Sequence, residues 1–160
     1  MGALKVQADN AGVIAPPPLI FLAFLVLGFA FGWLLHLPGA GIAPIYRLAV
    51  AFVCLALGAG LILAAALRFR SAKTAARPWL PTTAIVSDGI YRFTRNPMYL
   101  AMALIHAAAA LAADSLIALA MLIPAVLVIE FGVIRREERY LEAKFGEDYR
   151  RYKAAVRRWI

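Results

Sequence analysis

An all-α integral membrane fold, of about four transmembrane helices plus a C-terminal amphipathic cytoplasmic helix, is predicted by three features of this sequence. The chain of 160 residues is 64% hydrophobic and only 16% charged, with a mean hydropathy of +0.78, which is too apolar for a water-soluble domain of its size. Its apolar residues gather into runs long enough to cross about 30 Å of hydrocarbon. Its basic residues, the source of the net charge of +8, flank those runs and do not pattern a soluble face. That distribution fits an anionic membrane surface and argues against nucleic acid as a partner. One membrane domain, residues 1–160, is expected. Cys54 is the sole cysteine, so no disulfide within the chain and no cysteine-based metal site can form, and no metal is expected.

The first span is expected at residues 19–37, after the stiff extended Pro16-Pro17-Pro18. It reads as a span and not as a signal peptide, because only Lys5 precedes it and it is longer than a usual signal h-region. Gly28 and Gly32 stand at GxxxG spacing, which suits close helix packing either within the chain or against a second copy in a homo-oligomer. Pro38 ends this span, and the Gly- and Pro-rich residues 38–44 read as a turn. The second span, residues 48–67, has Arg47 at its start and is followed by Arg68, Arg70, Lys73 and Arg77, then Pro78-Trp79-Leu80-Pro81, an aromatic suited to the headgroup zone.

Residues 82–99 form the densest polar and aromatic stretch of the chain and contain Gly89-Ile90-Tyr91-Arg92-Phe93-Thr94-Arg95-Asn96-Pro97-Met98-Tyr99. Pro97 suits the first turn of a helix, so the third span is expected over residues 98–113. That span is short, alanine-rich and carries His106. A lone histidine there reads first as a helix-to-helix hydrogen bond. Asp114-Ser115 then turns the chain into a fourth span, residues 116–134, with Glu130 near its end. In the tail, residues 135–160, Leu141, Phe145, Tyr149, Tyr152, Val156 and Trp159 recur at steps of three and four. That spacing predicts one amphipathic helix lying on the membrane or over the bundle. Positive charge on the loop from Arg68 to Arg95 and on the tail puts both termini and residues 82–99 in the cytoplasm by the positive-inside rule.

Carboxylates beside so many arginines serve either as ion-pair partners or as ligands for a cofactor. Glu130 and Arg95 are the candidate catalytic residues: an ionisable group near the membrane interior is costly and points to function, and Glu130 is suited to accept a proton from an amine or to orient a headgroup. The competing reading pairs Glu130 with Arg92, Arg95 or Arg135.

The ordered combination of Gly89-Ile90-Tyr91, Arg95-Asn96-Pro97-Met98-Tyr99, an apolar hairpin, then Glu137-Glu138, Leu141, Phe145-Gly146, Tyr149 and Tyr152 resembles the isoprenylcysteine carboxyl methyltransferase family and its phospholipid methyltransferase relatives, over roughly residues 82–156. The resemblance implies an S-adenosylmethionine (S-adenosyl-L-methionine) site made by the loop before the hairpin and the helix after it. It carries cofactor contacts onto Thr83, Ala84, Ile85 and Val86, onto Tyr91, onto Asn96, Pro97, Met98 and Tyr99, and onto Glu137, with Glu138 as the second of a glutamate pair. A Gly-x-Gly element has its counterpart in Gly58-Ala59-Gly60, which reads equally as packing glycine. Two positions depart from the pattern. Asn96 replaces the usual histidine, and Val133 stands where the isoprenylcysteine branch has its substrate arginine, so a prenylcysteine methyl ester is not the expected product.

The resemblance therefore implies methyl transfer from S-adenosylmethionine to a membrane-partitioned small molecule or lipid acceptor. Two alternatives of other kinds are an NADPH-dependent sterol-reductase-like enzyme, whose family has a similar Tyr-Arg-x-x-Arg-x-Pro-x-Tyr stretch, and a non-enzymatic membrane subunit.

Overall fold

Proline starts each of the first three long helices. In the computed structural model, which describes residues 9–74 and 79–160, α1 (Pro17–Leu34), α2 (Pro44–Ser71) and α3 (Pro97–Ala112) all begin on a proline with no side-chain cap. The ring presets the helical φ and removes one N–H that would lack a partner at a helix start. Lys5, Arg77 and Pro78 lie outside the described residues. Helix α4 (Leu116–Ala120) starts differently: Ser115 Oγ accepts the Ala118 N–H at 3.2 Å. Pro124, which cannot donate to the carbonyl four residues back, accounts for the break before α5 (Leu122–Ile129). A π-helical turn over Glu130–Ile134 joins α5 to α6 (Arg135–Phe145), and α7 (Glu147–Ala155) follows.

Among the described residues, Pro17–Leu34, Pro44–Ser71 and Leu116–Phe145 are long and apolar enough to cross a membrane, while Pro97–Ala112 is a shorter apolar helix. The 28 residues of α2 make it longer than the predicted span. At about 1.5 Å per residue it outruns the hydrocarbon core, so Arg68 and Arg70 ride on its last turns. At 16 residues, α3 keeps the predicted shortness.

Close helix approach explains the small residues. A Cβ on Gly28 would lie 2.4 Å from Ala118 Cα, one on Gly32 3.0 Å from Ile117 Cγ2, and one on Gly58 2.8 Å from Ile105 Cγ1 and 3.0 Å from the Ala101 carbonyl oxygen. The GxxxG spacing of α1 is thus used within the chain, against α4. Ala118 and Ala101 line these contacts, and Ala65, Ala110 and Ala125 are likewise buried, while Leu22, Val26, Phe52, Leu63, Ile123 and Leu127 face outward. Large side chains outside and small ones inside is the arrangement that lipid as solvent permits. His106 Nε2 lies 2.9 Å from the Ala118 carbonyl oxygen, and Phe21 meets its ring edge-on. This is the helix-to-helix bond expected of it.

The tail departs from the prediction. It is not one amphipathic helix over residues 135–160. Gly146, at φ +55°, separates α6 from α7, and the chain turns extended at Val156. Residues 157 and 158 then return to the start of α3, where the Arg157 carbonyl accepts the Arg95 N–H at 3.0 Å. At the other terminus, Ile14 N–H donates to the Gly132 carbonyl at 3.3 Å. The Ile14 side chain occupies the space over Gly132, where a Cβ would meet it at 2.4 Å.

Candidate functional site

A pocket opens where the loop before α3, the first turn of α3, the first turns of α6 and the face of α7 converge. Its lining includes Thr82, Ala84, Ile85, Val86, Tyr91, Arg95, Asn96, Pro97, Met98, Tyr99, Glu137 and Glu138, with Phe69, Ile134, Leu141, Tyr149 and Tyr152 completing the walls. Nearly all the residues predicted for a cofactor site are brought together. Thr83 is the exception: it is exposed, its N–H donates to Thr74 Oγ1 at 2.9 Å and its Oγ1 to the Lys73 carbonyl at 3.4 Å. Thr82 lines the pocket in its stead, because these bonds turn Thr83 toward the end of α2.

Tyr91 sits on a short 3-10 turn, Gly89–Arg92. The turn needs glycine at its start, since Gly89 has φ +58° and a Cβ there would lie 2.3 Å from Arg68 Nε. The Tyr91 ring meets Phe69 edge-on, with centroids 5.5 Å apart, and its backbone carbonyl accepts the Tyr152 hydroxyl at 2.9 Å. Burial pushes the Tyr91, Tyr149 and Tyr152 phenols well above the ordinary tyrosine range, so all three stay protonated hydrogen-bonding groups.

Tyr99 and Glu137 join the two halves of the site. The Tyr99 hydroxyl donates to Glu137 Oε1 at 2.7 Å, linking α3 to α6 across the pocket. Glu137 is half-buried, and Tyr99 is its hydrogen-bond donor among the described residues. Asn96 faces the other way: Nδ2 donates to the Arg158 carbonyl at 2.9 Å, while Thr94 Oγ1 accepts the Asn96 N–H at 3.1 Å. The position that usually holds histidine therefore ties down the returning tail.

An ion network stands behind this wall. Arg158 grips Glu138 with two bonds, Nε to Oε1 at 2.8 Å and Nη2 to Oε2 at 2.7 Å, and its Nη1 donates to Glu130 Oε1 at 2.7 Å. Arg95 Nη2 lies 3.2 Å from Glu138 Oε1. Glu130 also takes Arg135 Nε at 3.0 Å and Trp159 Nε1 at 3.3 Å. Glu130 is thus held by Arg135, as the competing reading had it, and by Arg158, and it is not part of the pocket lining.

Several other positions fall away from the pocket. Gly58 packs against α3 and Gly60 faces open space, so Gly58-Ala59-Gly60 is not in the lining. Val133 is fully buried in the core with Ile129 and Ile134, while Arg135 stacks over Phe131 and Arg136 donates to the Gly12 carbonyl. Neither arginine replaces the missing one inside the site. Arg158 itself was not anticipated, because nothing in the pair Arg157-Arg158 distinguishes it from the other basic residues of the tail. Among the described residues, no three His, Cys, Asp or Glu side chains converge to hold a metal ion.

The family profile described as phospholipid methyltransferase matches residues 46–148, which takes in α2, the pocket loop, the hairpin and α6. An uncharacterised protein of Haemophilus influenzae is 49% identical over 63 residues, 39% of this chain and the whole of that one. No solved structure matches the chain. With a family match over well over half its length, the chain belongs to the phospholipid methyltransferase family.

Proposed function

We propose that this protein transfers a methyl group from S-adenosylmethionine to a lipid or other membrane-partitioned acceptor at the cytoplasmic face of the membrane. The observation that carries the reading is the Tyr99 to Glu137 hydrogen bond at 2.7 Å, which makes the loop and the helix after the hairpin two walls of one pocket.

The residues present fit the cofactor's chemistry. Glu137, with Tyr99 as its single donor among the described residues, keeps acceptor capacity for ribose hydroxyls or an amino group. The faces of Tyr91 and Tyr99 favour a positively charged sulfur, and Ala84, Ile85, Val86 and Met98 offer an apolar wall to a flat base. Pro97 fixes where α3 starts and thereby the direction of Tyr99. Asn96 and Glu138 act one step removed, holding the tail and Arg158 in place. Glu130, bound by two arginines and an indole outside the lining, anchors the same tail and is set aside as a proton acceptor.

The bound cofactor supplies an activated methyl group on a sulfonium. What remains for the protein is to hold donor and acceptor in line and to exclude water. Orientation of this kind is worth on the order of 7 kcal/mol or more. Arg68 and Arg70 at the end of α2, Arg92, Arg95 and the basic α6 and α7 gather at the pocket's end of the bundle, which supports a cytoplasmic site by the positive-inside rule.

The test is ligand stabilisation of the purified protein in nanodiscs. S-adenosylmethionine or S-adenosylhomocysteine should raise the melting temperature where NADPH does not, and Glu137→Ala should abolish the rise. Stabilisation by NADPH alone would point to a reductase, and response to neither to a non-catalytic subunit. Transfer of a radiolabelled methyl group into a total lipid extract would then name the acceptor class.

A further inference from the structure

Among the described residues, Arg95 is the one cation that lines the pocket, and its charge is only partly answered. Its side chain is 9% exposed, yet Nε and Nη1 are buried without a hydrogen-bond partner among the described residues. Its contact with Glu138, at 3.2 Å through Nη2, is the weaker claim on that carboxylate, since Arg158 takes both oxygens at 2.8 and 2.7 Å. The neighbouring Glu130 is in turn occupied by Arg158 and Arg135. Among the described residues, Arg95, Arg135 and Arg158 thus share the two carboxylates Glu130 and Glu138, and the unpaired donors belong to Arg95. The remaining carboxylate of the pocket, Glu137, is bonded to Tyr99 and not to Arg95.

A buried guanidinium with free N–H groups is costly until something accepts from them. We infer that Arg95 is an anion subsite of the pocket it lines, its guanidinium taking a carboxylate or phosphate of a bound ligand, with Arg158 as the positioning residue that keeps Glu138 from neutralising it. This rests on the methyltransferase reading, under which two ligands reach the pocket. One source of the anion is the amino-acid carboxylate of the cofactor, whose ammonium would then face Glu137. The other is the phosphate of a phospholipid acceptor.

The experiment compares the full-length wild type with Arg95→Gln and Arg95→Lys in nanodiscs. Binding is measured for S-adenosylhomocysteine, for its analogue lacking the carboxylate, and for glycerophosphoethanolamine as a phosphate-bearing headgroup probe. If the cofactor is the source, Arg95→Gln weakens S-adenosylhomocysteine about tenfold or more and leaves the carboxylate-free analogue unchanged. If the acceptor is the source, S-adenosylhomocysteine binds as in wild type while stabilisation by glycerophosphoethanolamine is lost. Arg95→Lys, which keeps the charge, should recover part of either effect. The subsite is overturned if Arg95→Gln binds all three probes as wild type does, or loses both cofactor analogues equally. Wild-type protein that binds neither analogue would instead overturn the methyltransferase reading.

Discussion

Two buried arginines, one at each end of the helical bundle, are put to opposite uses. At the hairpin end Arg47, with 12% of its side chain exposed, closes a turn: Nη1 donates to the Leu111 and Ala112 carbonyls, both at 2.7 Å. Its Nε lies 3.5 Å from Asp114 Oδ1, and that oxygen also accepts the Ala40 N–H at 3.1 Å. The last carbonyls of a helix have no partner within it, and a cation there suits the helix dipole. At the pocket end the Arg95 side chain reaches no carbonyl among the described residues and has a carboxylate that it shares with Arg158. One arginine completes the fold, with Nε alone left unpartnered, and the other lines the pocket with two buried donors, Nε and Nη1, that have no partner among the described residues. Burial alone would not have told them apart; the partners do.

Removing the pocket-end carboxylate breaks that comparison most severely. Glu138→Ala strips Arg158 of its two-bonded partner and Arg95 of the carboxylate it contacts, and breaking a buried pair in this way costs about 3 kcal/mol or more. Thermal denaturation in detergent should show a large fall in melting temperature. A variant melting within a degree or two of wild type would mean that the network does not hold the tail. Arg47→Ala should cost less, about 1–2 kcal/mol from carbonyls left without their donor, and should leave S-adenosylhomocysteine affinity unchanged. A matching loss of affinity would show that the two ends are coupled.

The smallest expected effects come from two glycines in one helix. Gly58→Ala brings a methyl group against Ile105 and the Ala101 carbonyl and should destabilise by about 1 kcal/mol. Gly60→Ala, with nothing within 4 Å, should stabilise by up to about 1 kcal/mol through helix propensity. Equal effects at the two positions would contradict the α2 to α3 packing.

Much of the scaffold could be read from the chain because it is fixed locally. Pro17, Pro44 and Pro97 mark helix starts wherever the rest of the fold goes, and Asp114-Ser115 turns the hairpin by its own chemistry. The pairing of Tyr99 with Glu137 came from the order of motifs, not from spacing, since 38 residues separate them. What escaped depends on contacts distant in sequence. The three-and-four spacing of Leu141, Tyr149 and Tyr152 reports burial of a face, but period alone does not distinguish lipid from protein as its cover, and here those side chains wall the pocket. The return of Arg157 to Arg95 and of Arg158 to Thr94 and Asn96 rests on backbone carbonyls, which carry no side-chain signal. Thr82 and Thr83 differ by one place in a loop without periodicity, so nothing in the sequence chose between them.

The π-helical turn at Glu130–Ile134 also sets the phase of everything after it. One residue beyond regular α-helical winding rotates the following helix by about 100°, and that rotation is built in before the Glu137-Glu138 pair is reached. Ile14 holds the turn from outside by bonding the Gly132 carbonyl and filling the space above it. Ile14, itself outside the pocket lining, thereby acts as the stop that fixes where the acidic pair points. Losing a single residue between Glu130 and Ile134 would turn Glu137 away from Tyr99 while every side chain of the pocket was still encoded.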